Sequence, residues 1–252
     1  MALRLHCLLN ITDISRLIEE EGADVNHRDI DGSTALHVSR TSAVARVLIK
    51  HGADVNAKNS RGMSPLHRVC NIGVAKVLLE HGAIVNAVDN HGNTPLHLCN
   101  DTETVPLLLR HSASISLRNK KGETPIHMST YGSKVVALAE AGADIDSVDN
   151  SGKTLLMKKS GCVYAFRLLS SLLGLNPSIF LKDKGGKTAI DFTLDPTIRR
   201  LLVKYLTDQN WRRRMALVLL RERPGVFIAK DDLVLRTVFL PTGVFRGVMT
   251  FV

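Results

Sequence analysis

The sequence predicts an all-α repeat solenoid, in which helix-turn-helix units stack along one axis with hairpin loops between them. Three observations predict this fold. The phrase Gly-x-Thr-Pro-Leu-His returns with small changes, and its first residues are 30 positions apart at Gly32, Gly62, Gly92 and Gly122. A second phrase, Gly-Ala-Asp-Val-Asn, returns in phase with the first. Aromatic residues make up only 4% of the chain, which suits helices packed through Leu, Ala and Val.

Four complete units follow an incomplete first one. Residues 5–7 align with 36–38, so the chain begins inside a short helix, and the complete units are 27–56, 57–86, 87–116 and 117–146. In each, a hairpin loop precedes a short helix and then a longer one. Proline suits the first turn of the short helices, and a hydroxyl residue stands at each N-cap, namely Thr34, Ser64, Thr94 and Thr124.

The last two units, 147–180 and 181–207, depart from the pattern. Met157 and Asp191 replace the histidine, and Gly186 lies 34 residues after Gly152 rather than 30. The final helix has one apolar and one basic face, as expected of a terminal unit. We therefore predict two regions: a repeat array over 1–207 and a basic tail over 208–252, which we expect to be a helical cap.

These phrases and their phase resemble those of ankyrin repeats, whose usual period is about 33 residues. The resemblance covers roughly residues 3–207, but each central unit is three residues short, which predicts a shorter first helix or a tighter turn between the helices. It implies structural roles for the four glycines named above. It also implies that the repeated histidines hydrogen-bond backbone and tie neighbouring units; they are His37, His67, His97 and His127.

The basic tail has several interpretations. It holds eight Lys or Arg against four Asp or Glu, in a chain whose net charge is +9. The run Arg212 to Arg214 fits the polar face of a helix docked on the last repeat, a nuclear-import or nucleic-acid patch, or an anionic-membrane contact. The segment from Leu240 to Phe251 resembles the opening of an F-box-like module, which would make the chain a substrate adaptor of a ubiquitin ligase. Scarce aromatics do not favour nucleic-acid binding.

The sequence offers no constellation typical of an enzyme, a metal site or a cofactor site. Histidines one unit apart would be about 10 Å apart, too far to share a zinc ion. Gly152-Lys153-Thr154 and Gly186-Lys187-Thr188 resemble the end of a phosphate-binding loop but lack its earlier glycine. The four cysteines stand singly, so we expect buried free thiols in a reducing compartment, the cytoplasm or nucleus; they are Cys7, Cys70, Cys99 and Cys162.

The residues that the repeat leaves variable are the candidate binding residues. The ankyrin resemblance implies protein binding on a concave surface of hairpin tips and short helices. Many of these side chains are cationic, which predicts an acidic partner segment rather than a small-molecule substrate, bound by a monomer without a membrane span. The predicted partner-binding residues are Arg28, Ile30, Arg40, Lys58, Arg61, Met63, Arg68, Asn90, His91, Arg118, Lys120, Lys121 and Tyr131.

Overall fold

The computed structural model describes residues 11–69, 71–162 and 164–208. The chain divides into two compact units, Met1–Tyr205 and Leu206–Val252, and the repeats lie in the first. The predictions for the start of the first unit and for the basic tail concern residues 1–10 and 209–252, which lie outside the described residues.

Short and long helices alternate along the array. The long helices are α1 (Ile11–Glu19), α2 (Ser42–Lys50), α3 (Ile72–Glu80), α4 (Thr104–Arg110), α5 (Gly132–Glu140), α6 (Phe166–Gly174) and α7 over 196–208. The short helices are Ala35–Val38, Pro65–Arg68, Pro95–Leu98, Pro125–Met128, Leu155–Ser160 and Ala189–Phe192. No strand occurs in the described part of the chain. The predicted all-α repeat solenoid is confirmed for the array.

The 30-residue period is accommodated in the short helices. Four of them, including Ala35–Val38 and Pro65–Arg68, are single 3₁₀ turns of four residues. A 3₁₀ turn extends further along its axis per residue than an α-helix does, so it needs fewer residues to span the same length. In unit six the short helix Leu155–Ser160 has six residues instead. The shortened first helix expected from the sequence is therefore present in the complete units.

The core consists of leucines that recur in phase. Leu48, Leu78, Leu108 and Leu138 occupy one register of the long helices and are fully buried. Each long helix from α1 to α5 packs on the long helix of the next unit, so α5 contacts α6 across the irregular boundary. Burying one such side chain stabilises the fold by roughly 1.5–3 kcal/mol. The repeated apolar stripe therefore holds the stack together beyond the point where the polar motifs change.

A ladder of asparagines connects the turns that follow the long helices. Asn26 donates from Nδ2 to Gly52 O at 2.9 Å and accepts from Asp54 N at 2.8 Å, and Asn56 and Asn86 repeat the arrangement. Asp146 takes this place in unit five and accepts from Ser178 N at 2.9 Å. Burial raises the pKa of Asp146, because a charged carboxylate is less well solvated there. The amide donor of the ladder is therefore present at Asn26, Asn56 and Asn86, whereas Ser116 and Asp146 stand at this position in units four and five.

Two further findings concern predictions about single residues and membranes. Cys99 is a buried free thiol, but Cys162 is exposed, so the expected burial of Cys162 is wrong. Cys162 follows the lengthened short helix of unit six and no longer lies in the register of Cys99. Within the described ranges, none of the helices combines the length and apolar character needed to cross a bilayer.

Candidate protein-interaction surface

Each hairpin is closed by an Asp or Asn at its start. In the hairpin 88–93, Asp89 N donates to Asn93 O at 3.0 Å, and Asp89 Oδ1 accepts from His91 N and Asn93 N at 2.8 Å. Burial alone would raise the pKa of Asp89, but hydrogen bonds from Asn93 and His91 lower it overall. The carboxylate is therefore charged and engaged inside its own hairpin, which fixes the direction of the tip.

Backbone hydrogen bonds join each hairpin tip to the next. We call the hairpins 28–33, 58–63, 88–93, 118–123, 148–153 and 182–187 the tip row. Five bonds of 2.9–3.0 Å link them: Ser60 N to Asp31 O, Asn90 N to Arg61 O, Lys120 N to His91 O, Asn150 N to Lys121 O, and Lys184 N to Ser151 O. The bonds continue through the irregular unit six. The tip row is therefore one continuous hydrogen-bonded structure.

The glycines that the sequence singled out lie where the tips approach one another. Gly62 has φ +74°, and a Cβ placed there would lie 2.8 Å from Asn90 N. Gly122 has the same φ and would meet Asn150 in the same way. Both a left-handed backbone conformation and a close approach between two hairpins of the chain favour glycine. Gly32 and Gly92 also have positive φ and face the next hairpin.

The repeated histidines connect the start of each short helix to the following hairpin. His97 Nδ1 accepts from Thr94 N at 3.1 Å, so the proton of the neutral ring is on Nε2, which donates to Glu123 O at 3.0 Å. The same bonds occur in three other units: His37 to Met63 O, His67 to Asn93 O, and His127 to Lys153 O. Burial lowers the pKa of all four histidines, which keeps the rings neutral.

The histidine ladder ends where the sequence changes. Met157 has no ring nitrogen to accept from Thr154 N, so only the bond from its own amide to Thr154 Oγ1, at 3.3 Å, remains at this N-cap. Asp191 restores the local bond, because its carboxylate accepts from Thr188 N at 2.7 Å. Both nitrogens of each repeated histidine are thus used within the fold. No group of three or more potential metal ligands occurs in the part of the chain that the structure describes.

Most of the predicted partner-binding residues are exposed. Ile30 is fully exposed, Tyr131 is 62% exposed, and of the predicted set only Met63 is half-buried. The tip cations Lys58, Arg61, Lys120 and Lys121 are exposed, as are Arg40, Arg68 and His91. These side chains lie on the hairpin tips and in or beside the short helices.

Three predicted binding residues also hold the scaffold together. Arg118 Nη1 donates to Gly122 O at 2.7 Å and to Val148 O at 2.6 Å, which joins two hairpins. Arg28 donates in the same way to Gly32 O and Lys58 O. Asn90 Nδ2 donates to Ser60 O at 2.9 Å. These side chains are already bonded, so they contribute less to a partner contact than the sequence suggested.

The sequence analysis missed a charged cleft at the irregular end of the tip row. It has a volume of about 510 Å³ and is lined by Lys121, Glu123, Asp149, Asn150, Ser151, Lys153, Met157, Lys158, Gly161 and Phe192. Lys158 pairs with Glu123 and lies 3.5 Å from Asp149, and Lys153 Nζ lies 4.6 Å from the centroid of the Phe192 ring. The signal in the sequence is the change of residue type at this end: Met157 replaces the repeated His, and Glu123 and Lys158 stand at positions that the earlier units fill mostly with neutral residues.

Comparison with known proteins identifies the repeats. A family model of ankyrin repeats, in three copies, matches residues 40–119. The ankyrin repeat domain of Bcl-3, a member of the IkappaB protein family, is 24% identical with a TM-score of 0.59, over 79% of this chain and 96% of that domain. The ankyrin repeat domain of human ASB11 is 22% identical with a TM-score of 0.68, over 80% of this chain and 96% of that domain. No curated protein matches the sequence.

At these identities the two domains establish the fold alone. The family match, the phased motifs and the stacked helices agree with one another. Ankyrin repeats are in general non-catalytic modules that bind other proteins. The chain therefore carries ankyrin repeats over residues 40–119, in an array of 30-residue units that has the ankyrin fold.

Proposed function

We propose that this chain is a non-catalytic interaction module that binds an acidic segment of another protein along the tip row and the adjoining short helices. It acts as a monomer in a reducing compartment, the cytoplasm or nucleus. An exposed free thiol such as that of Cys162 stays reduced in such a compartment. The observation that carries the proposal is the set of exposed tip cations. Arg61, Lys120 and Lys121 have no side-chain hydrogen bond or ion pair to the described residues.

Charge supports an acidic partner. The last three hairpins of the tip row, 118–123, 148–153 and 182–187, contain seven Lys or Arg against three Asp or Glu. The three acidic side chains are Glu123, Asp149 and Asp183, and hydrogen bonds to their own hairpins engage all of them. Six of the seven cationic residues are exposed, so the field at the tips is positive. Such a surface attracts acidic segments over about one Debye length, roughly 8–10 Å.

Rigidity supports binding to an extended segment. The tip row is held by a backbone bond at every step, and the histidine ladder fixes the short helices behind it. A surface that is already ordered loses little conformational entropy when a partner binds. The array therefore presents cations at fixed intervals to a chain that passes across several units.

Charge reversal at the tips tests the proposal. The variant Arg61→Glu/Lys120→Glu keeps the backbone bonds of both residues, and Lys76→Glu/Arg110→Glu makes the same change of charge on long helices. Affinity capture from lysate with the full chain should yield partners that the tip variant loses and the helix variant retains. If both variants capture the same proteins as the unchanged chain, binding at the tip row is excluded.

The adaptor role remains the alternative, since its F-box-like segment, Leu240 to Phe251, lies outside the described residues. A chain that ends at Asp208 separates the two proposals. If the shorter chain keeps its partner but loses ubiquitin ligase components, the adaptor role is supported. If the shorter chain captures the same set as the full chain, binding belongs to the repeats alone.

A further inference from the structure

The charged cleft at the irregular end of the tip row differs from the rest of the face. We propose that it is an anchor pocket for one residue pair of the partner segment, an Asp or Glu adjacent to an apolar residue. Lys121 and Lys153 would bind the carboxylate, and Phe192 with Met157 would contact the apolar side chain. The inference rests on the proposed function and names the chemistry of the partner at one place on the same surface.

Two lysines, of which Lys153 lines the cleft, lie beside the ring of Phe192. Lys153 Nζ lies 4.6 Å and Lys187 Nζ lies 6.0 Å from the centroid of Phe192. Each ammonium is attracted by the ring, but two like charges beside one ring also repel each other. An anion that enters between them relieves this repulsion. Lys121 lines the same cleft from the preceding hairpin, so cations approach the space from two units.

The acidic groups of the cleft are already satisfied. Glu123 is buried, accepts from Asn119 Nδ2 at 2.8 Å and pairs with Lys158. Asp149 Oδ1 accepts from Ser151 N at 2.8 Å and from Lys153 N at 3.0 Å, while Oδ2 faces Lys158 at 3.5 Å. Hydrogen-bonded and paired in this way, the two carboxylates take up the charge of Lys158. Lys121 and Lys153 are left to meet a ligand.

The balance of charge and shape specifies the ligand. Three lysines and two carboxylates line the cleft, so the lining itself has a single positive charge, which a single carboxylate matches. Lys187 adds a further positive charge beside Phe192, outside the lining. Met157 and Phe192 provide apolar surface beside the cations, and about 510 Å³ is within the range of ligand pockets, roughly 300–1,000 Å³. An acidic residue with an apolar neighbour fits both parts.

Peptide selection on the full chain tests the inference. A displayed library of random twelve-residue peptides is selected on the unchanged protein, and the enriched sequences should contain Asp or Glu directly beside an apolar residue. The best peptide is then measured by fluorescence anisotropy against the cleft variant Lys121→Gln/Lys153→Gln and against a tip variant, Lys58→Gln/Arg61→Gln. The matched control is Lys76→Gln/Arg110→Gln, which removes the same charge from the long helices. Neither hairpin pair removes a backbone contact of the hairpins.

The expected result is at least tenfold weaker binding to the cleft variant, with the same loss when the peptide acid is replaced by its amide. The control variant should change the affinity by less than threefold. Enriched peptides without the acidic-apolar pair, equal binding to the cleft and control variants, or tighter binding of a phosphoserine peptide would overturn the assignment. If the peptides respond to the tip variant and not to the cleft variant, the tip row binds acidic segments but the cleft is not the anchor. If nothing is enriched, both the anchor and the proposed function lose their support.

Discussion

Lys134 is a lysine in a position that the other units fill with apolar or small side chains. Val44, Val74 and Thr104 stand in the same register, whereas Lys134 is 1% exposed and its Nζ donates to His97 O at 2.9 Å. Burial, above all, lowers its pKa from 10.5 to about 7; Lys159 lowers it further and Cys99 acts in the opposite sense. We predict that Lys134→Met stabilises the array at pH 7.

The magnitude follows from the pKa shift. One pKa unit corresponds to about 1.4 kcal/mol, so folding of the charged side chain costs about 4 kcal/mol at pH 7 relative to a neutral one. The substitution removes that cost but leaves His97 O without its lysine donor, which costs about 1–3 kcal/mol. The net gain in the free energy of unfolding is about 2 kcal/mol.

The dependence on pH provides a sharper test. Between pH 7 and 10.5 the unfolded chain binds more protons at Lys134 than the folded chain does, because the folded pKa is the lower one. Stability from this group therefore rises with pH in that window and is lost as the pH falls towards 7. Between pH 7 and about 9.5 the free energy of unfolding of the native protein should rise by roughly 3 kcal/mol relative to that of Lys134→Met.

Urea unfolding followed by far-ultraviolet circular dichroism at the two pH values measures both quantities. Other titrating groups are common to the two proteins, so the difference between them isolates Lys134. Lys76→Met, on an exposed face of α3, is the matched control and should change stability by less than about 0.5 kcal/mol at either pH. A difference between native protein and Lys134→Met that is the same at pH 7 and 9.5 would refute the reasoning.

Three further substitutions test the scaffold by urea unfolding at pH 7. Gly62→Ala should cost about 1–3 kcal/mol more than Gly52→Ala, because both have positive φ but only Gly62 faces a neighbouring tip; equal costs would contradict the close approach. Asp146→Asn should stabilise the array by about 1 kcal/mol, because it restores the amide donor of the asparagine ladder. The gain should shrink near pH 3, because the native carboxyl is then protonated and its raised pKa no longer lowers the stability of the native protein. His97→Ala should lower the free energy of unfolding by about 3 kcal/mol, because it leaves Thr94 N and Glu123 O unpaired. The exposed control His91→Ala should lower it by less than about 0.5 kcal/mol. Similar values for the two substitutions would contradict the stabilising role of the histidine bonds.

The features with a strict period could be predicted from the sequence. Gly62 and His97 belong to motifs that return at every unit, and each is placed by interactions that also repeat, namely a tip-to-tip approach and a bond to the next hairpin. Repetition makes the structural demand visible, because one residue type is needed wherever the geometry is the same. The stacking, the shortened helices and the buried leucines follow from the same regularity.

The departures from the period could not be fully predicted. Arg118 sits among exposed tip residues, and the sequence cannot tell whether its guanidinium faces solvent or reaches Val148 O. Glu123 and Lys158 are 35 residues apart, and their pairing becomes apparent only once units stack and the short helix of unit six lengthens. Lys134 could have been found by comparing registers, since its equivalents are Val and Thr. Its burial depends on packing that only the three-dimensional structure shows.

The central claim is that partners bind along the tip row and the short helices behind it. Amide hydrogen exchange of the full chain, with and without a peptide selected on it, tests this claim directly. We predict slower exchange in the hairpins 118–123 and 148–153 and in the short helix Leu155–Ser160, with α2 and α3 unchanged. Protection confined to the long helices, with no change in the tip row, would contradict the account.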